Sequence, residues 1–392
     1  MKKVAIVSTV RTPIGKIGGE LSRLSSVQLG TIVTKSAIKK AQLSPNQIDQ
    51  VIFGNVLQAG SGQNVARQIQ LHSGISNLKT AYTVNQVCGS GMKAIRSGQA
   101  AIVMGDAKIV VAGGTESMSN APFLNQSMRF GHKYGNINMI DSIQNDALDD
   151  AFYHLPMGAT AENVAKKFNI SRKDQDQFAY QSHRKAVKAQ LSHKFDDEIV
   201  PVKIKDKQNQ EKIIARDEGP RKDTSMTKLA KLRTVFQKGG TVTAGNASSL
   251  NDGASALVMM DYDLAKKMNL KPLAIIENYV ETGIDPRIMG YAPYRAIKQL
   301  LKTSEQKQSD IDLFEINEAF AAPSVAIQKN LHLPSEKVNI NGGAIALGHP
   351  LGDSGARIVT SLIYNLKHEH KRNGIASMCI GGGMGMALQI KV

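Results

Sequence analysis

The feature that most constrains the fold of this 392-residue chain is an order of elements that occurs twice, offset by about 265 positions. A strand pattern at residues 4–7 leads to a helix pattern at 29–41 and a second strand within 47–56. The same order returns as a strand at 273–280, a helix at 294–302 and a strand within 309–318. The parallel continues: Cys88-Gly89-Ser90-Gly91 opens a helix that leads to the apolar strand at 109–114, and Leu351-Gly352-Asp353-Ser354-Gly355 opens one that leads to 375–383. Each copy then closes with a Gly- and Ala-bearing strand, at 251–260 and 383–390. Strand runs of Val, Ile and Ala without polar alternation argue for buried, largely parallel sheets covered by helices, hence the α/β class. The expected organisation is a first half at 1–118 plus 249–270, a second half at 271–392, and an inserted loop domain at 119–248.

Two copies of this size hold enough apolar residues, 42% of the chain, for sizeable cores without disulfide support. No run of 18 apolar residues occurs, and the apolar stretch near the start is too short for a leader, so a soluble, cytoplasmic protein is expected. The formal charge of +16 raises the question of nucleic acid. Residues 166–238 hold 19 Lys or Arg against 10 Asp or Glu, so the surplus sits in the insertion. It is mixed with acids and has few aromatics to stack bases. A phosphate-bearing small molecule or a solvated surface accounts for it better than nucleic acid does.

Cys88 and Cys379 are the only cysteines, 291 positions apart, and each sits in a glycine-bracketed turn. That spacing, without further Cys or His ligands at short range, excludes a zinc site and does not suggest a structural disulfide. Glycine beside a thiol lets backbone N–H groups reach a ligand, which a sulfur attacking a carbonyl needs. Three more segments carry polar residues at strand ends or in glycine-rich loops: Asn317-Glu318-Ala319-Phe320, Gly348-His349-Pro350, and Gly245-Asn246-Ala247-Ser248. Each alone reads first as a helix start or a turn.

Together, in this order and spacing, these segments resemble the thiolases, the acyl-CoA C-acyltransferases, along the whole chain. The resemblance implies a duplicated five-layer αβαβα core with a loop domain inserted in the first half, assembled as a dimer or tetramer. It implies no metal and no bound cofactor, with coenzyme A thioesters as substrates and no nucleic-acid or membrane partner. By resemblance, Cys88 takes the acyl group, His349 is the base that activates it, and Cys379 moves the α-proton of the second acyl-CoA. Asn317 and His349 are expected to hold the enolate oxygen, and the N–H groups of Cys88 and Gly381 the tetrahedral intermediate. Arg221 is expected at the nucleotide. Ala244, Ser248, Leu250, Leu148, Met157, Ala319 and Phe320 are expected along the pantetheine arm, with Met289 narrowing the acyl pocket. A helix start at Cys88 and the imidazole of His349 are each expected to favour the thiolate.

Within the family the residues point both ways. Short-chain members place His before Met-Gly, whereas this chain reads His154-Leu155-Pro156-Met157-Gly158, closer to the long-chain type. The runs 157–165 and 243–248 and the presence of Met289 are closer to bacterial members that form acetoacetyl-CoA. Acetyl-CoA C-acetyltransferase is the favoured expectation, a broader 3-ketoacyl-CoA thiolase the alternative, with His154 a candidate substitute for the missing His. A ketoacyl synthase would carry a second His at position 379, and a non-catalytic acyl-CoA-binding relative would lack one of the three reactive residues.

Overall fold

The computed structural model describes residues 2–205 and 208–392. The first half opens with β1 (Val4–Arg11), buried along its whole length, and the two-residue β2 (Gly15–Lys16). Helix α1 (Ser26–Lys40) starts at a Ser25/Gln28 capping box and ends on Lys39 and Lys40, where the helix dipole favours cations. Then come β3 (Gln50–Gly54), α2 (Val65–His72), β4 (Thr80–Val84), α3 (Ser90–Met104) and β5 (Ile109–Ser117). The insertion contributes β6 (Phe123–Leu124), β7 (Ile140–Asp141), α4 (Met157–Lys167), α5 (Arg172–Leu191), β8 (Val202–Lys205), β9 (Glu211–Ile214) and α6 (Met226–Ala230). The chain returns through β10 (Asn251–Asp261) and α7 (Tyr262–Lys267). The second half is β11 (Ala274–Gly283), α8 (Ala292–Thr303), β12 (Leu313–Ile316), α9 (Ala321–Asn330), α10 (Ala344–Leu347), α11 (Leu351–His368), β13 (Asn373–Ile380) and β14 (Met384–Lys391).

Strand pairing displays the duplication. In the first half β3 and β5 are parallel, and β5–β10 and β10–β1 antiparallel. In the second, β12 and β13 are parallel, and β13–β14 and β14–β11 antiparallel. The edge pair β3–β4, with Phe53 opposite Thr83, shrinks in the second copy to a single parallel bridge, Phe314 to Val338. The halves join through a short antiparallel contact of β1 with β11, from Val4↔Ile276 to Ile6↔Ala274, the pairing that a two-fold axis requires. The expectation of largely parallel sheets is thereby corrected: antiparallel pairs run through the middle and parallel pairs lie toward the edges. Continuous apolar runs report burial on both faces, and here antiparallel strands are also covered on both faces.

The alternating faces of the strands define five layers. On β5, Ile109 and Val111 pack with Leu29 and Val33 of α1 and Ile69 of α2. Val110 and Ala112 pack the opposite way, with Met92 and Ile95 of α3 and Ile358 and Leu362 of α11. On β13, Ala376 and Met378 face this same central cluster, while Ile375 joins Ala296 and Ile297 of α8 and Ala322 and Ala326 of α9. The central helices touch backbone to backbone, since a Cβ on Gly91 would lie 2.8 Å from the Ala356 nitrogen. Helix α11 is accordingly buried from Leu351 to Leu366 without interruption.

The insertion lies off the main sheet, its strands pairing only as the ribbons β6–β7 and β8–β9. Residues 161–190 have the apolar period of one continuous helix, but they fold as parts of two, separated at Asn169 (φ +53°) and restarted by a Ser171/Asp174 capping box. Apolar periodicity runs on across so short a break and hides it. The insertion is tied to β1 by Arg11, whose Nε donates to Glu198 at 2.6 Å and whose two terminal nitrogens donate to Asp217 at 2.6 and 3.0 Å, all buried.

Candidate active site

Cys88 stands in a tight turn just ahead of α3. Val87 has φ +46°, a left-handed conformation that β-branched residues rarely adopt. Ser90 holds it there: its Oγ accepts the Gln86 N–H at 2.8 Å and donates to the Val87 carbonyl at 2.6 Å. The Val87 N–H goes to Asn85 Oδ1 at 3.0 Å. So clamped, Cys88 has the backbone N–H groups of Gly381 and of its own residue close enough to the sulfur to favour its thiolate. Gly381 begins the loop after β13, where Gly382 and Gly383 both take positive φ, +83° and +81°. Cys379, next to last in β13, is buried against Met157, Met289, Ala292 and Ala319.

Burial pushes the Cys88 thiol up to about 11, with the Gly381 and Cys88 N–H groups pulling the other way and the Glu116 carboxyl adding to the rise. The expected gain from the helix start is outweighed, and the resting sulfur is a thiol. Cys379 is raised further, by burial and then by the neighbouring Cys88.

His349 is held in one tautomer. Its backbone N–H goes to Asn251 Oδ1 at 2.9 Å, and its Nδ1 lies 2.6 Å from Ser354 Oγ. Ser354 commits its own proton to the Pro350 carbonyl at 2.8 Å, so Nδ1 must be the donor and Nε2 carries the lone pair. Burial, helped by Arg357, brings the imidazole down to about 3, which keeps it neutral with its lone pair free at Nε2. Asn317 Nδ2 sits 3.4 Å from that nitrogen, while Asn317 Oδ1 is buried without a protein partner among the described residues. Glu318 anchors this strand end through Ser182, Asn339 and the Ile345 N–H.

Cys88 and His349 line one cavity of about 380 Å³, together with Leu148, Met157, Ser248, Leu250, Met289, Ala319 and Phe320. Asn317, Cys379 and Gly381 stand behind this wall, each against a lining residue. Ala244 and Arg221 lie instead in an adjoining cavity of about 430 Å³, which shares Ala247, Ser249 and Leu250 with the first. The result is a passage with an apolar end at the sulfur and a charged end that carries Lys16, Arg221 and Lys228, the last paired with Asp223 at 2.6 Å.

Family profiles described as "Thiolase, N-terminal domain" and "Thiolase, C-terminal domain" match residues 4–263 and 270–392. The chain belongs to the thiolase family. It is 49% identical over 387 residues to a "Probable acetyl-CoA acyltransferase" of Staphylococcus epidermidis, covering 99% of this chain and 98% of that protein. A protein of the same description from Staphylococcus aureus is 48% identical over the same length and shares of each chain. Among solved structures, the Bacillus anthracis acetyl-CoA acetyltransferase superposes with a TM-score of 0.97 at 44% identity. Human mitochondrial 3-ketoacyl-CoA thiolase superposes with the same TM-score at 42% identity, each alignment covering 100% of this chain and 99% of the other. As a thiolase the chain is an acyltransferase that works on acyl-CoA.

Several residues of this thiolase site were not legible as such. Phe236 lines the inner cavity and meets Phe320 edge-on, with ring centroids 6.2 Å apart, and Met118 and Leu351 also line it. Nothing in the local sequence marks Phe236, which reaches the site only by the folding of the insertion. Ser354 did have a signal: it lies one helical turn beyond Pro350, where a hydroxyl can reach back. His154 does not replace the missing His. It is exposed, with φ +53°, and lies outside the cavity lining, where Pro156 stands instead. No group of His, Cys, Asp and Glu among the described residues is arranged to hold a metal ion, and no helix among them is long and apolar enough to cross a membrane.

Proposed function

We propose that this thiolase is an acetyl-CoA C-acetyltransferase, which joins two acetyl-CoA molecules to acetoacetyl-CoA and free CoA and runs in reverse as thiolysis. The observation that carries the short-chain reading is Met289. It is 2% exposed, shares the cavity with Cys88 and packs against Cys379, so the space beside the two sulfurs is narrow.

In this reading neutral His349 takes the Cys88 proton at Nε2 as the sulfur attacks the thioester carbonyl. The N–H groups of Cys88 and Gly381, close to the sulfur, suit the tetrahedral oxyanion, and CoA leaves with the proton of Cys379, giving acyl-Cys88, a Cys379 thiolate and an imidazolium that keeps the Cys88 proton at Nε2. Cys379 then accepts the α-proton of a second acetyl-CoA, with the enolate oxygen held by His349 and by a water bound to Asn317. The carbanion attacks the acyl carbon, the Cys88 thiolate is released, and His349 returns its proton. The raised Cys379 suits this step, because its conjugate base is strong enough to take a carbon-bound proton.

Covalent labelling tests the roles. Incubated with acetyl-CoA, Cys88→Ala is expected to show no acetyl adduct by intact mass, whereas Cys379→Ser acylates but condenses at least about 100-fold more slowly. An adduct elsewhere on Cys88→Ala, or near-normal condensation by Cys379→Ser, would reject the assignment. Pro156 in the lining favours the second reading, a broader 3-ketoacyl-CoA thiolase. The ratio of kcat/KM for thiolysis of acetoacetyl-CoA and of a medium-chain 3-ketoacyl-CoA decides. A ratio above one supports the acetyltransferase, and one well below it supports the broader enzyme.

A further inference from the structure

Cys88 and His349 come from different copies of the duplicated fold. Cys88 stands at the start of α3 in the first half, whereas His349 sits in the turn between α10 and α11 in the second. The distance between sulfur and imidazole is therefore set by whatever ties that turn to the first half. One side chain does so directly. Asn251, the first residue of β10, is fully buried, and its Oδ1 accepts the backbone N–H of His349 at 2.9 Å. From there β10 pairs with β5 without a break, from Asp252↔Ser117 to Met260↔Ile109, so the bond anchors the His349 turn to the sheet of the first half.

The Asn251 amide has a single orientation open to it. Its Nδ2 donates to the Gly15 carbonyl at 2.9 Å, while Oδ1 also accepts the Ser249 hydroxyl at 2.9 Å. A flipped amide would set a donor against the His349 N–H and an oxygen against the Gly15 carbonyl. The turn that carries His349 is shaped to receive this group. Gly348 has φ +115°, and a Cβ there would lie 2.4 Å from both Cγ and Nδ2 of Asn251, so glycine is what lets the amide come this close. Two residues into β10, a Cβ on Gly253 would stand 3.1 Å from Pro350, so the same strand meets the residue after His349. Ser354 fixes the proton on the ring, and Asn251 fixes the backbone that carries it. Ser249 borders both cavities of the passage, so the oxygen that holds His349 also holds part of the passage wall.

We propose that Asn251 is a positioning residue for His349, one that holds the imidazole of the second half in register with the sulfur of the first; this rests on the reading of His349 as the base for Cys88. An acceptor withdrawn from a buried N–H leaves that donor unsatisfied, and the turn shifts to find another partner. A displacement of about 1 Å between reacting groups costs on the order of 100-fold in rate.

Rapid-quench intact mass after mixing with acetyl-CoA tests this, at a temperature where circular dichroism shows each variant folded. Asn251→Asp keeps an acceptor oxygen for the His349 N–H, whereas Asn251→Leu, of similar shape, removes it; both lose the amide donor to Gly15. Acylation of Cys88 should slow by about 100-fold in Asn251→Leu and stay within about fivefold of the wild type in Asn251→Asp. The acetyl-CoA concentration giving half the maximal rate should change by no more than about twofold in either. Equal acylation rates in the two variants, both fast or both slow, overturn the proposal. Where Asn251→Leu does not fold, Asn251→Ala takes its place in the same comparison. His349→Ala separates this inference from the reading beneath it. Wild-type acylation by His349→Ala rejects the base itself, whereas slow acylation there with fast acylation in Asn251→Leu rejects only the positioning role. Added to His349→Ala, Asn251→Leu should slow acylation by no more than about a further twofold, because both act through one imidazole. A further loss of about 100-fold would show that Asn251 acts elsewhere and overturn the proposal.

Discussion

At His349 one hydroxyl decides which ring nitrogen is basic. Ser354 accepts from Nδ1 because its proton is already committed to Pro350, and this leaves the Nε2 lone pair facing Asn317 and the cavity. Removing the hydroxyl frees the imidazole to move its proton to Nε2, where it can no longer act as base. Ser354→Ala is therefore expected to slow acylation of Cys88 by about 100-fold, with Ser354→Thr recovering most of the loss. Rapid-quench intact mass after mixing with acetyl-CoA reads this directly. A melting temperature lowered in both variants, with acylation rates equal to each other, would mark Ser354 as a packing residue only. The candidate reactive residues stood out in the sequence by their glycine-rich contexts, but their protonation did not. A helix start suggested a thiolate, and burial produces a thiol, because desolvation of a charge outweighs the pull of two N–H groups.

Among elements, β1 and the insertion depend on each other through Arg11. Its guanidinium satisfies Glu198 and Asp217 at once, and Asp217 also accepts the Ile14 N–H at 2.8 Å. Arg11→Ala would strand two buried carboxylates, so a loss of about 3–5 kcal/mol in unfolding free energy is expected from urea titration. A loss below about 1 kcal/mol would show that water reaches the pair and replaces the guanidinium. The elements were mostly readable because each carries its own period and caps, as α1 does with Ser25 and Gln28. Where reading failed, the reason was local. Asn169 interrupts a periodic run without breaking its apolar spacing, and strand direction leaves no trace in a strand that is buried on both faces.

For the whole molecule, the central layer imposes a pH dependence. Glu116 is buried where it accepts from Asn55 and from the N–H groups of Val56, Leu57 and Gly352, and burial raises it from 4.5 to about 7. Asp353 is raised to about 7 and Glu315 to about 8 for the same first reason. A carboxyl raised on folding binds its proton more tightly in the native state. Its stabilisation is full below pH 4.5 and is lost as pH rises through about 7. His349 and His183 act oppositely: both are lowered on folding, so stability drops as pH falls below 6.5 toward their native values. Glu116→Gln removes one titrating group whatever its fixed cost in hydrogen bonds. The melting temperature of the variant minus that of the wild type should therefore increase between pH 5 and pH 8, and a constant difference would show that Glu116 does not titrate in the native state. The sequence by itself determined the duplication, the family and the candidate residues for chemistry, because periodicity, caps and glycine-flanked thiols are encoded within a few neighbouring residues. Only the tertiary structure decided that Cys88 rests as a thiol, that Nε2 carries the lone pair of His349, and that Phe236 borders the cavity. Protonation, tautomer and cavity shape are set by what the chain packs against from far along its length, and desolvation and hydrogen-bond partners of that kind exist only once the layers have closed.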